Sequence, residues 1–274
     1  MVATIFPVAD LAARVAGDAV RVETLLPPRA SVHTWEATPG QVRALDRAAG
    51  FISVGGGLDA WLEALVGEDP TLRTLRLTDG LALRARVEEP GHLHRDDEGA
   101  GTGDPHVWLD PILVRDGLLP RITALLGDLA PEHAREIAVR GTALADSLTA
   151  LDAAIRSTLE GAPQRSFLAT HEAWGYFAAR YGLHSLGSLY EGPGHEPSAR
   201  GLAALVDAAR GAGLGAVLAE PQMAETAARA LAGEVGARVV VVDPLGGPGV
   251  PGRESYLDLM RFNARGFAEA LRRP

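Results

Sequence analysis

The chain predicts an α/β fold with a mostly parallel sheet. Short apolar runs alternate with stretches of helical periodicity. The runs come in two series, one before residue 60 and one after Arg165. Between the series lies a helical segment of about 30 residues, long for an ordinary crossover.

In the first series, Val2 to Phe6 reads as a buried strand closed by Pro7, and Asp10 to Val15 follows with helical spacing. Phe51 to Val54 is a second strand, ended by Gly55-Gly56-Gly57 and leading into the helical LDAWLEAL. The segment 131–162 opens with Pro131, suited to a first helical turn, and stops at Gly161-Ala162-Pro163. Ile137, Leu144, Leu148, Leu151 and Ile155 mark its apolar side. It is either one helix of a single α/β domain or a strut between two lobes. In the second series SFLAT (166–170), AVLAE (216–220) and RVVVVD (238–243) are the expected strands. Residues 88–103, EEPGHLHRDDEGAGTG, have little to bury and read as a surface loop, with His92 and His94 as weak metal-catching groups or incidental ones.

Composition narrows the function. The 274 residues are 47% hydrophobic and 22% charged, ordinary for a globular chain. The net charge of −9 argues against nucleic acid or an anionic membrane as partner. All 26 basic residues are Arg, which we take as coding bias. With no Cys, thiolate zinc sites, disulfides and cysteine nucleophiles are excluded. No apolar run approaches the roughly 18 residues of a membrane span. The opening MVATIFPVADLAARVAGD lacks a basic start and a long apolar run, so no secretory signal is expected within it.

The histidines then separate by setting. His133, His184 and His195 read as ordinary surface or loop residues. His33 lies in SVHTWEATPGQ, between an apolar run and a helix. His106 sits in GDPHVWLDP, where Pro105 and Pro111 fix their own φ and bias their predecessors towards extended forms, an economical way to aim one imidazole. His171 follows SFLAT directly, at the carboxyl end of a strand, where open α/β sheets place ligands. Asp243 holds the equivalent place after RVVVV, although a strand-end Asp is often only a turn former. Three imidazoles and a carboxylate form a four-coordinate N/O set suited to Zn²⁺, whereas Mn²⁺ would call for more carboxylate oxygen. Glu36 and Glu172 are the candidate acceptors that would orient the rings.

On these residues the chain resembles the metal-binding family of ABC-transporter solute-binding proteins. The resemblance covers nearly the whole chain: LLPPRASVHTWEATPGQVRAL, ISVGGGLDAWLEAL, DPHVWLDP, THEAWGYFAARYGL, EPSARGLAAL, AVLAEPQ, VVDPLG and ESYLDLMRFNARGFAEAL occur in the family's order and spacing. It implies two Rossmann-like α/β lobes, 1–130 and 163–274, joined by a long rigid helix, 131–162, with the metal in the cleft. It places the ligands on His33, His106, His171 and Asp243, with His at the third position pointing to zinc rather than manganese. It implies a high-affinity zinc-binding monomer outside the cytoplasmic membrane, beginning after a removed signal and feeding an ABC permease. A metallochaperone acting at the 88–103 loop is a further partner left open.

Two other functions compete on the residues. A zinc hydrolase could use the same ligands, with Glu220 as the spare acid, but four protein ligands leave no open position and no HExxH pair is present. Residues 247–252, GPGVPG, match a dinucleotide-binding GxGxxG, but two prolines remove amides that a pyrophosphate needs.

Overall fold

Short apolar strands separated by helices are best satisfied by a parallel sheet with helices packed over it. The chain builds this arrangement twice. The structure is a computed structural model, and it describes residues 1–60, 62, 66, 71–85, 103–190 and 198–272. The first sheet contains β1 (Val2–Ala3), β2 (Glu23–Thr24), β3 (Gly50–Ser53) and β4 (Arg73–Arg76), in the order β2-β1-β3-β4. The second contains β5 (Ser166–His171), β6 (His184–Tyr190), β7 (Ala216–Ala219) and β8 (Arg238–Val241), in the order β6-β5-β7-β8. Every pairing in both sheets is parallel.

The first strand ends earlier than its apolar run. Phe6–Ala16 is already helix, with Pro7 in its first turn, where a missing amide costs nothing. β2, β4 and β6 escape a reading by apolar runs because they are edge or polar strands. β4 reads RTLR and is mostly exposed, and β6 reads HSLGSLY.

The long segment is a 3₁₀ turn, Pro131–His133, followed by one α-helix, Ala134–Leu159. Its 26 residues span about 39 Å. Ile137, Leu144, Leu148, Leu151 and Ile155 are all buried. It packs along helix Phe6–Ala16, helix Leu119–Leu129 and the C-terminal helix Tyr256–Ala270. Val8 and Trp108 from the first half and Phe167 and Phe267 from the second belong with it to one continuous apolar core. Among the described residues no helix is long and apolar enough to cross a membrane.

Polar ties cross between the halves beside that core. Trp108 Nε1 donates to the Pro244 carbonyl at 2.7 Å, and Tyr256 Oη donates to the Trp108 carbonyl at 2.7 Å. The Tyr256 amide donates to Asp10 Oδ2 at 2.8 Å, capping the C-terminal helix from the other lobe. Tyr256 is fully buried, so Tyr256→Phe leaves a buried carbonyl unsatisfied. We expect it to destabilise the protein by about 1–3 kcal/mol in denaturant unfolding.

Candidate metal centre

Parallel sheets deliver residues to the carboxyl ends of their strands, and loops there can meet across a cleft. His33 stands in the turn after β2, where the Trp35 amide donates to the Ser31 carbonyl at 3.0 Å. His106 precedes the 3₁₀ turn Val107–Leu109 and is 4% exposed. His171 is the last residue of β5 and is also buried. The structure brings these three together. One nitrogen from each lies within 4.8 Å of the others, and the ring centroids are 5.0–6.1 Å apart. Nitrogens bound tetrahedrally to zinc at about 2.0–2.1 Å lie about 3.3 Å apart, so shifts on the order of 1 Å close the set on an ion.

Asp243 lies beyond β8, buried, but its oxygens do not fall within that group among the described residues. Its Oδ1 accepts from Gln222 Nε2 at 2.9 Å and from the Leu245 and Gly246 amides at 3.0 Å each. Its Oδ2 accepts from Arg253 Nη1 at 3.0 Å. His92, His94 and His195 lie outside the described residues.

The acceptors that aim two of the rings differ from those expected. Asp104 Oδ1 meets His106 Nδ1 at 2.7 Å and also accepts the His106 amide at 2.9 Å. Glu220 Oε2 meets His171 Nδ1 at 3.1 Å, while its Oε1 accepts from Trp174 Nε1 at 2.9 Å. With both Nδ1 atoms engaged, Nε2 is the nitrogen each ring has left for an ion. Glu36 is exposed, and Glu172 acts on His171 through space. The Asp104 contact was readable in the motif, since an Asp two residues ahead is placed to accept the later amide. The Glu220 contact was not, because it depends on β7 lying beside β5.

Asp104 also needs room on its far side. A Cβ added to Gly175 would lie 2.6 Å from Asp104 Oδ2, so only glycine lets the lobes approach this closely here.

Burial, the larger influence, pushes the His106 imidazole below its ordinary 6.5, with Asp104 opposing. Burial acts the same way on His171, but Glu220, Asp104 and Glu172 together outweigh it and hold His171 above 6.5. The cavity that the three rings line measures about 20 Å³, which is room for one ion or one water. Ser31, Trp108, Glu220, Gln222, Pro244 and Leu245 are among the other residues of its wall.

Two parallel α/β lobes on a shared helix, with imidazoles from both converging on a small buried cavity, define a two-lobed metal-binding protein. The chain belongs to the family described as zinc-uptake complex component A, periplasmic, whose model matches residues 1–270. It is 28% identical over 276 residues to the zinc-binding lipoprotein AdcA of Streptococcus pneumoniae, covering 98% of this chain and 55% of that one. The chain thus spans about half the length of that relative. It is 27% identical over 279 residues to the high-affinity zinc uptake system protein ZnuA of Bacillus subtilis, covering 99% and 87%. A crystal structure of a ZnuA deletion mutant with zinc bound superposes with a TM-score of 0.85 at 29% identity, covering 100% of this chain and 98% of that one.

Loss of an outer carboxylate partner costs about 10–100-fold in metal affinity. Asp104→Asn, Glu220→Gln and Gly175→Ala should each fall in that range by chelator competition. Gly175→Ala should do so without touching either ring directly.

Proposed function

We propose that the chain captures zinc with His33, His106 and His171 and delivers it to an ABC-type permease from outside the cytoplasmic membrane. The observation that carries this reading is the convergence of three imidazole nitrogens, two from the first lobe and one from the second, within 4.8 Å. Neutral imidazoles suit zinc, whereas manganese favours harder oxygen donors. The names of the AdcA and ZnuA relatives agree with zinc as the cargo. All three rings come from one chain, so a monomer suffices. The segments 1–130, 131–162 and 163–274 then serve as lobe, connecting helix and lobe. A metallochaperone meeting the 88–103 loop would act at residues outside those described.

Hydrolysis is the less favoured reading. Glu220, the acid a hydrolase would need free, is engaged by His171 and Trp174. We therefore assign no catalytic role.

Zinc should bind the intact protein at one equivalent in calorimetry with a competing chelator. His33→Ala, His106→Ala and His171→Ala should each weaken it by at least about 100-fold, beyond the effect of losing an outer partner. Retention of full affinity by all three variants would refute the site.

The pH dependence follows from His171. Its raised pKa keeps it protonated to a higher pH than a free imidazole, and zinc must displace that proton. Affinity should therefore begin to fall above pH 6.5 as the solution is acidified, by about tenfold per pH unit for each proton displaced. Competition titrations at a series of pH values check the slope and its onset.

A further inference from the structure

His106 and His171 stand on separate supports, and those supports meet again away from the metal cavity. His106 leads through the 3₁₀ turn Val107–Leu109 to Asp110. His171 leads within four residues to helix Gly175–Tyr181, which carries Arg180. Arg180 Nε donates to Asp110 Oδ1 at 2.9 Å, joining the second lobe to the first. Neither residue is among the described residues that line the cavity.

Both partners are stiffly held. Asp110 caps the helical run that begins at Pro111, and its Oδ1 also accepts the Ile112 amide at 2.8 Å and the Leu113 amide at 3.1 Å. That oxygen cannot follow the guanidinium without uncapping the run. Helix Gly175–Tyr181 is anchored through Phe177, which is fully buried and stacked on Phe267 with 4.7 Å between ring centroids. The connecting helix supplies a third point. Asp152 Oδ1 lies 3.8 Å from Arg180 Nε, while Asp152 Oδ2 accepts from Arg156 Nε at 3.0 Å. Side-chain exposures are 25% for Arg180, 16% for Asp110 and 14% for Asp152, so water screens these charges only in part. One guanidinium thus sits between carboxylates of the first lobe and the connecting helix, and its Nε hydrogen bond goes to the lobe. A slip of about 1 Å between the two supports would carry that bond out of range.

We propose that Arg180 is a positioning residue for zinc binding: paired with Asp110, it keeps the segment bearing His171 in step with the segment bearing His106. This rests on the zinc-capture reading above. By linkage, whatever factor the pair adds to zinc affinity, zinc adds to the strength of the pair. A brace that merely stabilised the fold would serve the empty and the loaded protein equally and would leave affinity unmoved.

The test uses the full chain, with zinc as the probe. Affinity is measured by chelator competition, and folding by thermal melts of the zinc-free protein. Arg180→Met should raise the zinc Kd at least about tenfold. Asp110→Asn keeps an oxygen for the Ile112 and Leu113 amides, because Asn caps as well as Asp, and should show a loss of the same size. The double variant should lose little more than either single one. Arg180→Lys, which keeps the charge, should fall between Arg180→Met and the parent. Parental affinity in folded Arg180→Met, or losses that multiply in the double variant, would overturn the inference. If Arg180→Met does not fold, Asp110→Asn carries the test, and parental affinity there overturns it equally. His171→Ala run in parallel separates the two levels. If it keeps zinc, the capture reading itself fails. If it loses zinc while Arg180→Met binds as the parent does, only the role of Arg180 fails.

Discussion

Two buried imidazole–carboxylate pairs set the terms for everything around them. His106 with Asp104 and His171 with Glu220 place two buried carboxylates against rings that line the cavity. Buried charges are strongly unfavourable unless something opposite in sign lies close. Without a metal, Glu220, Asp104 and Glu172 favour a proton on His171, which answers part of that demand. A dication answers all of it. The centre is thus electrostatically prepared for a charge of two before any ion arrives, and the outer carboxylates do this as much as the rings. They also fix which nitrogen faces inward, so little side-chain freedom remains to be lost on binding.

That preparation requires the two lobes to hold their places. Asp104 belongs to the first half and touches Gly175 of the second, with no room for one added carbon. Trp108, next to His106, is tied to Pro244, and Tyr256 returns a hydrogen bond to Trp108. The long helix and the C-terminal helix place residues from both halves in one apolar core. A wide opening would expose that core and break buried hydrogen bonds together. His33, on a turn and only partly buried, is the least enclosed of the three rings.

Much of this was legible in the chain, and the boundary is physical. Apolar runs marked β1, β3, β5 and β7, because central strands of parallel sheets are buried on both faces, and they also marked β8, an edge strand whose sequence is apolar. They failed for β2, β4 and β6, whose polar residues and edge positions remove the signal. The helical spacing in 131–162 was readable because one side of that helix must be buried. Residue type and strand-end position were enough to single out His33, His106 and His171. Strand order was not available, and it is strand order that sets Glu220 beside His171. Nor could spacing reveal that a loop ten residues long would bring a guanidinium back onto Asp243.

Asp243 has two roles open to it at its strand end. A carboxylate at a strand end is equally suited to bind an ion and to accept the amides of the turn that follows. Here Oδ1 takes the second role with the Leu245 and Gly246 amides, and Leu245 and Pro244 are themselves part of the cavity wall. Asn263 fixes the same point from behind, donating to the Asp243 carbonyl and accepting its amide. Asp243 thereby fixes the backbone that forms part of the cavity wall.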